Sequence, residues 1–345
     1  MPWVVLLICV LVYCCCVYIY IYGDSGGEIL TSHREPPVST RVDEENHRKQ
    51  GATWSRTECY DRTVHFSGYD LHLVAKAVLP ELVEGASQNN CSVLLIGMHG
   101  TISGNLDEFP GIVVYLNGEV EAHSISQRHY YLGPPSQNIP QGRSLQFFYV
   151  SYAFLVLGKP SFDITREEQR PNFLLYISSR CLGHREFAFD AFSTIGEVHA
   201  AGNCNGKTTN FKKVDIDQNA GWAGTSSAYK EYKFALAMEN TMHHGYVTEK
   251  ILNAFIGGAV PIYWGTKDVY DIFNREAFIY FDPDNPQSAL DRVKYLESNA
   301  TAYAEIRQHP KLAKNALQNV FSLSDDIGNG VLKNRIRSFL GIENS

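Results

Sequence analysis

The densest chemical signal in the chain is Glu249-Lys250, inside the string YKFALAMENTMHHGYVTEKILNAFIGGAVPIYWG at residues 232–265. The apolar run Ile251–Phe255 behind the pair has helical spacing, and Gly257-Gly258 closes it. Thr248 stands where a capping residue belongs, so free amides, a helix dipole and the Lys250 ammonium would converge on one point, an arrangement that holds phosphate. Arg185, in ISSRCLGHREFAFDAF, repeats the logic. An arginine in the first turn of a helix opposes the dipole unless an anion lies between them, and Arg180 and His184 are nearby alternatives. The third group is a carboxylate. Glu119, in VVYLNGEVEA, follows a buried strand where a general base could meet a substrate, and Glu121 is open to the same reading. On residue type alone each of these also has a bland reading as a solvated surface group.

The elements that must position them alternate. Tyr232–Met238 reads as a buried strand ending in Glu239-Asn240, and Ala259–Tyr263 as the next one. Before them come an amphipathic helix over Asp70–Gly85 that Pro80 would kink, strands at Ser92–Ile96 and Ile112–Tyr115, and an apolar, aromatic span Gln146–Leu157. Gly158–Pro171 is the best linker. A strand Phe173–Ile177, a helix Arg185–Phe192, a strand centred on Val198 and a strand Phe278–Phe281 follow, with helices from Pro286 to about Phe321. Such β-α alternation over 345 residues predicts two α/β domains with parallel sheets. The formal net charge of −7, without a basic block, excludes nucleic acid as the expected partner. A phosphate site in so acidic a chain must be assembled locally.

From Pro2 to Tyr22 there is no charged residue, and at about 1.5 Å per residue this run reaches roughly 30 Å, enough for a transmembrane signal anchor. Its missing basic start argues against a cleaved signal. The polar stretch after it reads as a flexible stem. Cys59, Cys91, Cys181 and Cys204 past the anchor suggest a lumenal body, with Cys59–Cys91 and Cys181–Cys204 paired on proximity. Sequons at Asn90 and Asn299 point the same way, to N-glycosylation.

The string at 232–265 closely resembles the signature of the α1,3-fucosyltransferases: a Tyr-Lys-Phe strand, Glu-Asn, Tyr-Val-Thr-Glu-Lys, a Val-Pro strand and Trp-Gly, with Met238 where the family usually has Phe. The resemblance extends from about Gly111 to Leu312. It implies the GT-B architecture, two Rossmann-like domains behind the N-terminal transmembrane helix and stem, divided as 1–23 anchor, 24–53 stem, 54–160 acceptor-side domain, 161–325 GDP-fucose domain and 326–345 tail. It implies transfer of L-fucose from GDP-fucose to a GlcNAc hydroxyl of a glycan on a glycoprotein or glycolipid, in α1,3 linkage with inversion, at a Golgi membrane as a single-pass type II protein. Glu119 matches the family's general base. Arg185 and Lys250 match its pyrophosphate ligands, Glu249 its ribose ligand, and Asn240 and Tyr246 residues lining the donor site. No cofactor is required on this reading, with a divalent cation such as Mn2+ as a stimulant at most.

Two rivals are distinct in kind. A metal-dependent transferase would use an Asp-x-Asp pair, for which Asp215-Ile216-Asp217 and Asp282-Pro283-Asp284 are candidates, although loop chemistry explains both. An inactive glycan-binding relative would have lost Glu119, Arg185, Glu249 or Lys250, and all four are present. His243-His244 lacks the further ligands a metal site needs.

Overall fold

A computed structural model of the chain describes residues 11–13, 16–18, 64–67, 71–83, 93–97, 105–109, 111–162, 170–217 and 221–342. The chain divides into two units, residues 1–51 and 52–345. In the first, Leu11–Tyr13 (β1) and Cys16–Tyr18 (β2) pair antiparallel. These two pieces differ locally from the helix expected over Pro2–Tyr22, the rest of which lies outside the described residues. No helix among the described residues is long and apolar enough to cross a membrane. The expected stem, the Asn90 sequon and the Cys59–Cys91 pair lie outside the described residues.

The second unit contains two parallel sheets. The first is built from Val64–Ser67 (β3), Val93–Gly97 (β4), Ile112–Leu116 (β5), Tyr130–Gly133 (β6) and Ser144–Gln146 (β7), which lie side by side in chain order. The second is built from Asn172–Ser178 (β8), Val198–Gly202 (β9), Phe211–Lys213 (β10), Tyr232–Met238 (β11), Val260–Trp264 (β12) and Ile279–Tyr280 (β13). Its spatial order is β10-β9-β8-β11-β12-β13, so the winding reverses between β8 and β11. This is the Rossmann order. The first sheet is α/β and parallel but has no such reversal, and the crevice that a reversal creates belongs to the second sheet alone.

Helices fill the connections: His72–Val78 (α1), Pro80–Val83 (α2), Tyr149–Val156 (α3), Gly183–Phe192 (α4), Gly221–Ala228 (α5), Glu249–Ile256 (α6), Val269–Ile272 (α7), Gln287–Ser298 (α8), Ala300–Gln308 (α9) and Val331–Leu340 (α10). The helix expected over Asp70–Gly85 is two helices, because Pro80 has no amide to continue α1 and opens α2 instead. The span Gln146–Leu157 is the last residue of β7 followed by α3.

Central strands of the second sheet are buried on both faces, as parallel strands between helices must be. Alternate residues of β11 serve opposite cores. Ala235 and Ala237 pack with Ile251, Leu252 and Phe255 of α6, while Phe234, Leu236 and Met238 pack with Phe189 and Phe192 of α4. Leu236 is paired to Tyr176 of β8 on one side and Ile262 of β12 on the other. The helices α6 and α4, which carry the candidate cations, are thus fixed to opposite faces of one strand.

The segment 326–345, expected as a tail, contains α10. Its Leu332, Ile336 and Leu340 are buried with Leu71, Val74, Val93 and Leu95 of the first sheet's core. Arg337 is 2% exposed, and its Nη1 donates to the carbonyl of Val78 at 3.0 Å and to Glu81 Oε1 at 2.6 Å. An apolar stripe at helical spacing, Leu332-Ile336-Leu340, is the cause. Ile336→Ala should therefore destabilise the body by about 3 kcal/mol, typical of a buried large-to-small change, measurable as a lower urea midpoint. An unchanged midpoint would mean α10 is not part of the core.

Candidate active site at the strand reversal

In an open parallel sheet, ligands bind beyond the carboxyl ends of the strands where the winding reverses. Here those ends are Ser178 of β8 and Met238 of β11. Arg185 lies between them, 4% exposed. Its Nη2 donates to the Met238 carbonyl at 2.6 Å and to Asn240 Oδ1 at 2.7 Å, and its Nη1 to Ser178 Oγ at 3.3 Å. Every one of these acceptors is neutral, and the buried Nε has no partner. Burial draws the guanidinium below its ordinary value. A buried cation held only by dipoles is suited to receive an anion. The turn leading to α4 is tied by the disulfide Cys181–Cys204 to the residues after β9, as the pairing on proximity predicts.

Beyond β11, Glu239 is fully buried. It accepts from the Thr248 amide at 2.8 Å, the Thr248 hydroxyl at 2.7 Å and Lys250 Nζ at 3.3 Å. Thr248 is the residue before α6, but its hydroxyl is spent on Glu239 and not on the helix amides, which corrects the capping role expected of it. The first amides of α6 are left without that side-chain partner. Lys250 Nζ also donates to Thr248 Oγ1 at 2.9 Å and lies 3.6 Å from Glu249 Oε1. Burial alone would lower the Lys250 ammonium, but Glu249 and Glu239 outweigh it and hold it above the usual lysine value. Burial pushes the Glu239 carboxyl up, opposed by Lys250 and by the Thr248 hydrogen bonds. Gly265 explains the Trp-Gly at the end of the signature: a Cβ there would lie 2.8 Å from Glu239 Cγ and collide with the Tyr263 hydroxyl.

The first sheet delivers Glu119. Asn117, 6% exposed, accepts from the Glu119 amide at 3.0 Å and donates to the Tyr131 hydroxyl at 3.0 Å and the Glu121 carbonyl at 3.1 Å, a side-chain turn that sets the loop. Gly118 is required because the Tyr149 ring fills the space of a side chain there. This turn separates the two candidate carboxylates. Glu121 is exposed, whereas Glu119 is partly buried and accepts from the Tyr246 hydroxyl at 3.0 Å. The Tyr246 oxygen in turn accepts from Asn240 Nδ2 at 3.2 Å. A single relay, Arg185 to Asn240 to Tyr246 to Glu119, therefore crosses from one sheet's strand reversal to the loop after the other sheet's central strand, β5. Burial, followed by the Glu239 and Glu119 charges, pushes the Tyr246 phenol well up, so it remains a proton donor to Glu119.

Residues 168–319 match the family model described as glycosyltransferase family 10 (fucosyltransferase), C-terminal. Over this segment the chain is similar to the fucosyltransferases of family 10. A protein of Acanthamoeba polyphaga mimivirus is 31% identical over 151 residues, 41% of this chain and 24% of that one. An alpha-(1,3)-fucosyltransferase, FucT, of Helicobacter pylori is 43% identical over 77 residues, 22% of this chain and 16% of that one. The chain thus matches a quarter or less of the length of these curated relatives. A crystal structure of an α1,3-fucosyltransferase superposes with a TM-score of 0.55 at 19% identity, covering 81% of this chain and 88% of that one, which establishes the shared fold.

The matched segment holds Arg185, Asn240, Tyr246, Glu249 and Lys250, and the relay reaches outside it only to Glu119. Asn299 is elsewhere, at the junction of α8 and α9, where its Oδ1 accepts from the Ala302 amide at 3.0 Å as a helix cap. Of the rival ligands, Asp282 Oδ1 accepts from the Asp284 amide at 3.1 Å, an ordinary turn. His244 Nδ1 is 2.8 Å from Asp268 Oδ2, while His243 Nδ1 donates to the His244 carbonyl at 2.8 Å, so the two rings serve the loop. Among the described residues the one cluster spaced for a metal is Cys181, Glu186 and Cys204, and its sulfurs are joined to each other. Sequence reasoning passed over Glu239 and Asn117 as site residues. The signal for both is an acid or amide directly after an apolar strand.

The crowding at Gly265 yields a test. Gly265→Ala must displace Tyr263 and Glu239, both without solvent space, and should cost about 1–3 kcal/mol. An unfolding midpoint equal to that of the unaltered chain would show that the Glu239 region is loosely packed.

Proposed function

We propose that the chain is an inverting fucosyltransferase that moves L-fucose from GDP-fucose to a GlcNAc hydroxyl of a glycan, forming an α1,3 linkage. The observation that carries this reading is the relay, with a cation pair at one end and a carboxylate at the other. Arg185, held by neutral acceptors, and Lys250, in the first turn of α6, take the diphosphate. Glu249 takes the ribose hydroxyls. Tyr246 donates to Glu119 Oε2, which leaves Oε1 for the acceptor hydroxyl. As the acceptor oxygen bonds to C1 of fucose, its proton passes to Glu119. The bond from C1 to the phosphate oxygen breaks on the opposite face, and its electron pair leaves with GDP. The two cations supply the charge that a metal would otherwise supply, so no metal step is needed, and Mn2+ enters only as a stimulant.

The half from 54 to 160 takes the acceptor and 161 to 325 the donor. A Golgi membrane location, with the body lumenal, is part of the same proposal. The disulfide, the Asn90 and Asn299 sequons and the uncharged run Pro2–Tyr22 support it.

The deciding experiment incubates the full chain, in detergent and EDTA, with GDP-fucose and a panel of N-acetyllactosamine, lacto-N-biose and N-glycan acceptors. Mass spectrometry should find an added deoxyhexose. Absence of both transfer and GDP binding would overturn the reading. Glu119→Gln should keep GDP binding while transfer falls about a hundredfold or more; normal turnover would remove Glu119 as the base. Lys250→Ala should weaken GDP binding itself, and an unaltered dissociation constant would exclude it from the phosphate site.

A further inference from the structure

Glu239 has no part in the transfer step just described, yet it is the one acid in the site with no exposed surface. Two of its donors, the amide and hydroxyl of Thr248, are neutral. Among the described residues its only ion pair is with Lys250, at 3.3 Å. Lys250 is itself 27% exposed and has a second carboxylate, Glu249, at 3.6 Å. In the empty site, then, the cation proposed for the diphosphate is already engaged. The groups facing Glu239 are Lys250 and Glu249 from α6, Tyr246 from the loop before it, Tyr263 from β12 and Arg185 from α4. His184, also from α4, donates to the Glu239 backbone carbonyl at 3.0 Å and does not reach the carboxylate.

Consider what a bound diphosphate does to this balance. Two cations and two carboxylates offset one another before binding, and the ligand adds further negative charge. Glu249 retains some exposure and can keep its charge in water, while Glu239 cannot. A carboxylate in a dry cavity that loses its cation is better neutral than charged. Its remaining hydrogen bonds fit either state, because the Thr248 hydroxyl can donate or accept.

We propose that Glu239 is a positioning residue that holds Lys250 as an ion pair in the empty site and takes up one proton from solvent when the donor's diphosphate draws Lys250 away. The inference rests on the donor-site reading given above. Burial raises the Glu239 carboxyl even with Lys250 beside it, which is the direction such a change requires. Donor binding then consumes a proton, and affinity falls as pH rises, by up to about tenfold per pH unit where uptake is complete.

Calorimetry of the full chain with GDP-fucose, in two buffers of unlike ionisation enthalpy at one pH, measures the protons exchanged. GDP-fucose is the better probe because its diphosphate is a diester and does not titrate near neutrality. Uptake approaching one proton is expected, and it should vanish in Glu239→Gln, with affinity becoming flat in pH. Lys250→Met should also abolish uptake, since Glu239 would have no cation to keep it ionised beforehand; this second variant serves if the first does not fold. Binding of the unaltered chain without proton exchange overturns the proposal and leaves the donor site intact. Uptake that persists in Glu239→Gln assigns the proton to another group and also overturns it. No binding at all removes both readings together.

Discussion

The structure of the site depends on one buried guanidinium. Arg185 spans the gap between the ends of β8 and β11, bonded to Ser178 on the first and to the Met238 carbonyl and Asn240 on the second. These are the two strands between which the winding reverses, where an open parallel sheet leaves a crevice. A cation of this size can be buried only if its donors are met, and here backbone and side-chain oxygens meet most of them. The same contacts orient the Asn240 amide, and through it the Tyr246 hydroxyl and Glu119. Positions of three functional side chains thus follow from the satisfaction of one.

Much of the second sheet can be read in the sequence, for a physical reason. Central parallel strands are buried on both faces, so Phe173–Ile177 appears as an unbroken apolar run and Tyr232–Met238 as one broken only by Lys233, and β11 has the expected bounds. Short strands cannot be read this way. Phe211–Lys213, Ser144–Gln146 and Tyr130–Gly133 have three or four residues each, too few for a period to show. The segment Leu11–Tyr18 shows the opposite difficulty, since an apolar run rich in valine and tyrosine satisfies two periods at once.

The site was legible where a residue's type announced its charge. Arg185, Glu249 and Lys250 could be singled out because each adds an ion to an otherwise apolar setting. What the sequence withheld were relations across the fold. Glu119 and Glu121 are equivalent as letters, and only the Asn117 turn directs one toward Tyr246 and the other into solvent. Thr248 reads as a helix cap because its neighbours are local, whereas its true partner, Glu239, is brought near by the strand-to-helix return. The family resemblance supplied roles for matched positions, but not the hydrogen bonds that link them.

The helix α10 bears on how the molecule is made. The chain emerges from the ribosome amino end first, so β3 to β7 are available long before Val331–Leu340 exist. Yet Leu332, Ile336 and Leu340 complete the first sheet's core, and Arg337 closes onto Val78 and Glu81. The half that is synthesised first is therefore finished last. Until Val331–Leu340 have been made, an apolar face of the first sheet must wait uncovered, a period in which chaperone binding or aggregation competes with folding.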